Sequence, residues 1–173
     1  MKKILLPIIF LISSFCYSQT LTQETLDFDS GAWKFIGHNY KGAIQDFNKV
    51  IKINPKNGGA YYCRGMAKAE LKDYRGAMQD YNKAIEINPE DADAYCFRGI
   101  IKKELGDYRG AIQDLNKAFN TNPRKYSKDT DAYLNRGMAK MFLNDKNGGC
   151  LDLSKAGELG RTEAYDLIKK YCN

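Results

Sequence analysis

The side chains that most often carry catalysis or bind metals are scarce in this sequence. His38, in the turn sequence "GHNY", is the only histidine, and no two of the five cysteines have the Cys-x2-Cys spacing of a zinc site. Neither common glycine-rich pattern of a phosphate-binding loop occurs. A Cys–His nucleophile would need His38 beside Cys63 or Cys96, and nothing in the sequence around them suggests an activated thiolate. We therefore predict that the protein is not an enzyme and holds no cofactor or metal.

Arginine and aspartate, by contrast, recur at a fixed spacing. Each of three arginines is followed sixteen residues later by an aspartate, in the pairs Arg64 and Asp80, Arg98 and Asp114, and Arg136 and Asp152. The midpoint of each pair falls in a turn between two predicted helices, so its two residues lie at the same level of a helical hairpin. We expect a structural ion pair in each hairpin, and removing one partner of a partly buried pair is destabilising. The alternative is a row of arginines for an acidic ligand, which the accompanying aspartates disfavour.

These pairs belong to a repeat that covers most of the chain. The segments that begin at Tyr40, Tyr74 and Tyr108 are almost the same over sixteen residues, at an interval of 34. A weaker fourth copy follows after 38 residues, which places four extra residues near Ser127. Each copy contains two runs of apolar residues at helical spacing, separated by a short turn. One such helix pair cannot bury its apolar face alone, so the copies are expected to stack.

The period, together with its aromatic and small residues, resembles the tetratricopeptide repeat. The matching residues of the second copy are Tyr61, Gly65, Ala77, Tyr81, Ala84 and Pro89. The first copy departs from the pattern with Asp27 in place of the aromatic residue, and the fourth has Gly149 in place of the alanine. The resemblance implies an all-α fold, a right-handed α-solenoid of four helix pairs with a C-terminal capping helix.

The predicted boundaries follow this period. We predict a signal peptide over residues 1–18 and a short lead over residues 19–23. The first two repeats are expected over residues 24–57 and 58–91, the third, with the insertion, over 92–129, and the degenerate fourth over 130–161. The capping helix is expected over residues 162–173.

The start of the chain has the pattern of a secretory signal peptide. Lys2 and Lys3 precede an apolar run from Ile4 to Ile12, and small residues follow at positions 16 and 18. An uncleaved anchor is the alternative, but the run is shorter than the roughly 20 residues that span a bilayer. We predict an exported protein, periplasmic or secreted, without stable membrane insertion. Without Lys2 and Lys3 the formal charge falls from +6 to +4 with no basic block, so a nucleic-acid partner is not expected.

The resemblance also implies a concave groove, lined by the first helix of each repeat, that binds a protein or peptide partner. The residues on that face are Phe28, Phe35, Tyr62, Met66, Glu70, Ile100, Lys103, Leu134, Met138 and Met141, with Ala32, Ala69, Cys96 and Glu104 beside them. Aromatic and methionine surfaces suit apolar peptides. The face lacks the lysine and asparagine array that clamps a terminal carboxylate in some family members. The alternative is that half of these residues pack against the neighbouring repeat.

The cysteines predict one disulfide. Four remain after the predicted signal peptide is removed, which allows three complete pairings. Cys150 begins the second helix of the fourth copy and Cys172 ends the terminal helix, so an antiparallel hairpin about Arg161 places them at one level. We predict a Cys150–Cys172 bridge with Cys63 and Cys96 free; two unpaired thiols are the alternative.

Together these features predict an exported, non-catalytic interaction module that binds a partner of unknown identity on its concave face. The alternative is an accessory or regulatory subunit of an envelope enzyme or assembly complex, with an activity that the sequence does not reveal.

Overall fold

Helices form all the regular secondary structure that the computed structural model describes, which covers residues 23–172. They are α1 (residues 23–36), α2 (Tyr40–Ile53), α3 (Gly58–Glu70), α4 (Tyr74–Ile87), α5 (Ala92–Glu104), α6 (Tyr108–Thr121), α7 (Pro123–Tyr126), α8 (Thr130–Phe142), α9 (Lys146–Glu158) and α10 (Glu163–Tyr171). In this range no helix combines the length and apolarity needed to cross a membrane. The predicted signal peptide lies outside the described residues.

Polar side chains fix the start of almost every helix. The residue before each second helix accepts a hydrogen bond from the backbone N–H three residues later, as Asp107 does from Gly110. Asn57, Asp91 and Asp129 do the same for three of the first helices. Such caps satisfy backbone donors that the helix itself leaves unpaired. A periodic sequence therefore begins its helices at periodic positions.

The turn inside each pair has a left-handed residue at the same position of every repeat. His38, Lys72 and Asn144 have φ near +60°, and Gly106 has φ +83°. This conformation is rare for residues with a side chain, whereas glycine adopts it without steric cost. The shared turn brings the second helix back along the first, and it places His38 in a turn as the sequence predicts.

Four helix pairs stack along the chain: α1 with α2, α3 with α4, α5 with α6, and α8 with α9. We refer to α1, α3, α5 and α8 as the first helices and to their partners as the second helices. The terminal helix α10 packs against α9 and closes the last core cluster. The predicted all-α solenoid of four pairs and a capping helix is confirmed.

The four extra residues near Ser127 form part of an additional helix that the sequence does not predict. Pro123 occupies the first position of α7, where proline is well tolerated, and the side chain of Asn122 caps it. This turn buries Tyr126, which is 1% exposed, in the core between repeats three and four. Its hydroxyl donates to the carbonyl oxygen of Ala92 at 3.3 Å. The insertion therefore joins the core and leaves the stack continuous.

Inside each pair, a glycine of the first helix lets an aromatic or aliphatic side chain of the second approach closely. A Cβ at Gly65 would lie 2.8 Å from the Tyr81 ring, whereas one at Gly59 in the same helix would meet nothing closer than 3.4 Å. The repeated glycine is therefore a packing residue.

These two glycines predict opposite effects of the same substitution. Gly65→Ala should lower the free energy of unfolding by about 1–3 kcal/mol, because the buried Tyr81 ring must move. Gly59→Ala should leave it unchanged or raise it by up to about 1 kcal/mol, because alanine restricts the unfolded chain. Urea unfolding measures both. Equal effects at the two positions would contradict the packing role of Gly65.

Candidate functional site

A buried aspartate on each second helix receives cations from the first helix of the same repeat. The Asp114 side chain is 7% exposed. Arg98 donates to it through Nε and Nη2, both at 2.7 Å, and Lys102 Nζ lies 2.8 Å away. A bidentate arginine with a second ammonium group satisfies most of the carboxylate's acceptor sites. Each aspartate is therefore held by two cations rather than the single arginine that the sequence predicts.

The same arrangement recurs in the neighbouring repeats. Arg64 Nε lies 2.9 Å from Asp80, and Arg136 Nε lies 2.8 Å from Asp152. The second cation is Lys68 or Lys140, each at 2.8 Å. In the first repeat Ser30, Lys34 and Lys49 donate to Asp46. Burial alone would raise the pKa of Asp46, but these donors hold it well below its ordinary value.

The remaining arginine nitrogen connects each repeat to the one before it. Nη1 of Arg98 donates to Asn82 at 2.8 Å, and Nη1 of Arg136 donates to Asn116 at 2.9 Å. Arg64 contacts Asn48 in the same way. We call these arginines, with their aspartates and asparagines, the arginine ladder. The sequence predicts the aspartate pairs but not the asparagine links, although those asparagines also recur at 34-residue intervals.

An open groove of about 570 Å³ runs along the first helices of repeats one to three. Four residues of the predicted binding face lie in it: Phe35 from α1, Met66 and Glu70 from α3, and Ile100 from α5. Its lining is mostly apolar, with charged groups supplied by Glu70, Glu104 and Lys72. The groove is open to solvent rather than enclosed.

Three aromatic residues complete the groove, and two of them, Tyr74 and Tyr81, occupy positions that recur with the repeat. Tyr74 occurs at the same place as Tyr40 and Tyr108, at intervals of 34. Phe97 has no counterpart in the other repeats and gives no periodic signal. Tyr81, from the second helix α4, is fully buried beneath the groove, and its hydroxyl has no hydrogen-bond partner among the described residues.

Other residues of the predicted face lie beside the groove. The Tyr62 ring packs against Phe97, with centroids 5.7 Å apart, and so supports the groove from below. Lys103 forms an ion pair with Glu104 at 2.8 Å. Phe28 packs edge-on against Phe47 at 5.6 Å. These three residues are engaged within the protein.

At the far end of the solenoid, the predicted face is largely covered. Leu134 is 5% exposed and packs in the last core cluster, so its assignment to the binding face is wrong. Cys96 is buried too, at 3% exposed. Met138 and Met141 line a separate cavity of about 90 Å³ with residues of α9 and α10. Leu134 lies in the core cluster to which α9 and the capping helix α10 contribute, whereas Cys96 lies in the cluster that contains Tyr126 of α7.

Cys150 and Cys172 form a disulfide that joins α9 to the end of α10. Their Cα atoms lie 5.9 Å apart, and the bridge closes an interval of 22 residues. Cys63 and Cys96 are free. Burial raises the pKa of Cys63 to about 11 and of Cys96 to about 12, the opposite of what a nucleophilic thiolate needs.

The single histidine and the acidic side chains are further groups that could do chemistry. Nδ1 of His38 lies 2.8 Å from the Tyr40 hydroxyl at the surface. Within residues 23–172 no three His, Cys, Asp or Glu side chains are grouped so that they could hold a metal ion.

Comparison with known protein families identifies the repeat. Tetratricopeptide repeat models match residues 59–91 and residues 80–113. The chain is a tetratricopeptide repeat protein. It matches no curated protein.

Solved structures of this family share the fold. MamA from Desulfovibrio magneticus RS-1 is similar with a TM-score of 0.72 and 17% identity, over 87% of this chain and 93% of that one. The tetratricopeptide domain of Arabidopsis OM64 is similar with a TM-score of 0.66 and 24% identity, over 70% of this chain and 98% of that one. The first tetratricopeptide domain of Spaghetti (RPAP3), bound to the HSP90 peptide SRMEEVD, is similar with a TM-score of 0.66 and 22% identity. The similarity covers 71% of this chain and 94% of that one.

The disulfide predicts a specific response to reduction. Reducing the tetratricopeptide protein should lower its free energy of unfolding by about 3 kcal/mol, because opening a 22-residue interval frees the unfolded chain. A variant with both Cys150→Ser and Cys172→Ser should not respond to the reductant. Peptide mapping without reductant should recover the Cys150–Cys172 pair. A free thiol at Cys172 in most molecules would rule the bridge out.

Proposed function

We propose that this tetratricopeptide protein is an exported, non-catalytic interaction module that binds a segment of a partner protein along its first helices. The observation that carries the proposal is the groove of about 570 Å³, whose lining includes half-buried apolar side chains from three repeats. Contact with an apolar segment would remove this surface from water.

The likeness to peptide-binding structures supports the same function. A tetratricopeptide domain of similar fold is solved with an HSP90 peptide bound. Four residues of the predicted binding face, expected from their position in the repeat, line the groove of this chain: Phe35, Met66, Glu70 and Ile100. The groove of this chain is therefore the place where a partner segment is expected.

Export and the lack of catalysis rest on separate observations. The charged start and apolar run of residues 2–12 support a signal peptide. The Cys150–Cys172 disulfide is consistent with an oxidising compartment. The raised thiol pKa values of Cys63 and Cys96 and the surface position of His38 support a binding role over catalysis.

Site-specific crosslinking in the native host tests the proposed groove. A photo-reactive residue in place of Met66 or Ile100 should give the same partner adduct, because both line the groove. The control is Gln79, which is exposed on α4 and does not line the groove. Mass spectrometry of the adducts should identify one partner segment from both groove positions and little or none from Gln79. Adducts of equal yield from Gln79 would move the binding surface elsewhere.

A further inference from the structure

The first helices end in residues of different chemical character at the centre of the stack and at its two ends. The last residues of the four first helices are Ile36, Glu70, Glu104 and Phe142. The outer two are exposed apolar side chains, Ile36 at 65% and Phe142 at 55%. The inner two are exposed carboxylates that line the groove. The same structural position is thus apolar, acidic, acidic and apolar along the stack.

The position of the two glutamates strengthens their negative potential. Glu70 ends α3 and Glu104 ends α5, where the partial negative charge of the helix C-terminus adds to the carboxylate. An acidic residue at that place costs stability unless something binds it. Two carboxylates and one cation, Lys72, are among the residues that line the groove. Lys103 pairs with Glu104 at 2.8 Å from beside the groove, whereas no ion pair holds Glu70 within residues 23–172.

Aromatic residues flank these charges in a repeated way. The first residue of a second helix lies beside the last residue of the next first helix. Tyr108 stacks on Phe142 with ring centroids 4.5 Å apart, and burial together with the nearby Glu70 carboxylate raises the pKa of the Tyr40 hydroxyl. Tyr74 occupies the same position before Glu104, and both line the groove. An aromatic face beside a carboxylate is a favourable environment for an ammonium or guanidinium group.

A second observation at the same place points to a ligand. The Tyr81 side chain is 0% exposed and lies at the base of the groove, yet its hydroxyl has no partner among the described residues. Buried polar atoms are nearly always hydrogen-bonded, so an unpaired one needs an explanation. A side-chain donor from a bound segment that reached the base of the groove would give the hydroxyl oxygen a partner.

We propose that the groove binds an extended partner segment with a lysine or arginine at its centre and an apolar residue at each end. This inference rests on the proposed function. The basic group lies between Glu70 and Glu104 above Tyr81. The apolar residues lie beyond the two ends of the groove, on Ile36 and on Phe142, which also lines the separate cavity of the fourth repeat. Neighbouring helices pack about 8–10 Å apart, so three steps from α1 to α8 span roughly 30 Å, or about nine extended residues. An acidic peptide such as SRMEEVD, bound in the similar RPAP3 domain, would be repelled at this centre.

Three synthetic nine-residue peptides test the proposal. They share leucine at both ends and a neutral polar sequence, and they differ only in the central residue: arginine, alanine or glutamate. Calorimetry or fluorescence anisotropy with the exported protein should show the arginine peptide binding about tenfold more tightly than the alanine peptide, since two exposed ion pairs contribute up to about 1 kcal/mol each. The glutamate peptide should bind most weakly.

Matched variants assign the preference to the groove. Glu70→Gln with Glu104→Gln should abolish the difference between the arginine and alanine peptides. Glu86→Gln with Glu158→Gln, which neutralises two exposed glutamates outside the groove, should leave it unchanged.

The outcomes distinguish this inference from the proposed function. Equal binding of all three peptides, or a preference that survives Glu70→Gln with Glu104→Gln, would overturn the basic-centre inference and leave groove binding intact. Failure of every peptide to bind the unmodified protein would count against both. Concentration-dependent self-association that is lost in the Glu70→Gln, Glu104→Gln variant would assign the groove to a second copy and overturn the inference.

Discussion

A buried carboxylate must be paired, and this constraint organises the solenoid. Asp46, Asp80, Asp114 and Asp152 are each no more than 5% exposed, one in every second helix. An ionised group in such a place is costly unless charged donors surround it. The first helix supplies those donors, so the two helices of a pair can pack in only one register. The arginine then reaches back to an asparagine of the previous pair, and the same side chain also fixes how the pairs stack.

The groove depends on this stacking. Arg98 and three groove residues, Phe97, Ile100 and Glu104, lie on the same helix α5. Arg64 lies on α3 with Met66 and Glu70. By fixing the positions of α3 and α5 relative to each other, the arginine ladder fixes the distance between the two central carboxylates. A rigid, preformed surface spends less binding free energy on ordering itself, which favours affinity.

Much of this structure could be predicted because it repeats. The helix pairs, the caps and the Arg–Asp spacing recur at intervals of 34 residues, or 38 across the insertion, and each recurrence supports the others. What could not be predicted occurs once. Phe97 has no aromatic equivalent, α7 exists only where four residues are inserted, and the core cluster that contains Leu134 includes Ala164 of α10, which caps the fourth repeat alone. Periodicity reports the average repeat, whereas burial at the ends of a stack depends on what lies next to it.

A double-mutant cycle at Arg98 and Asp114 is the most direct test of this dependence. Free energies of unfolding would be measured for Arg98→Met, Asp114→Leu and the double variant, with the exposed pair Lys83 and Glu86 as the control cycle. The account predicts that each single change destabilises the protein and that the two are coupled by about 1–3 kcal/mol, against less than about 1 kcal/mol for the control. Additive losses at Arg98 and Asp114 would contradict it, because the stack would then not depend on their pairing.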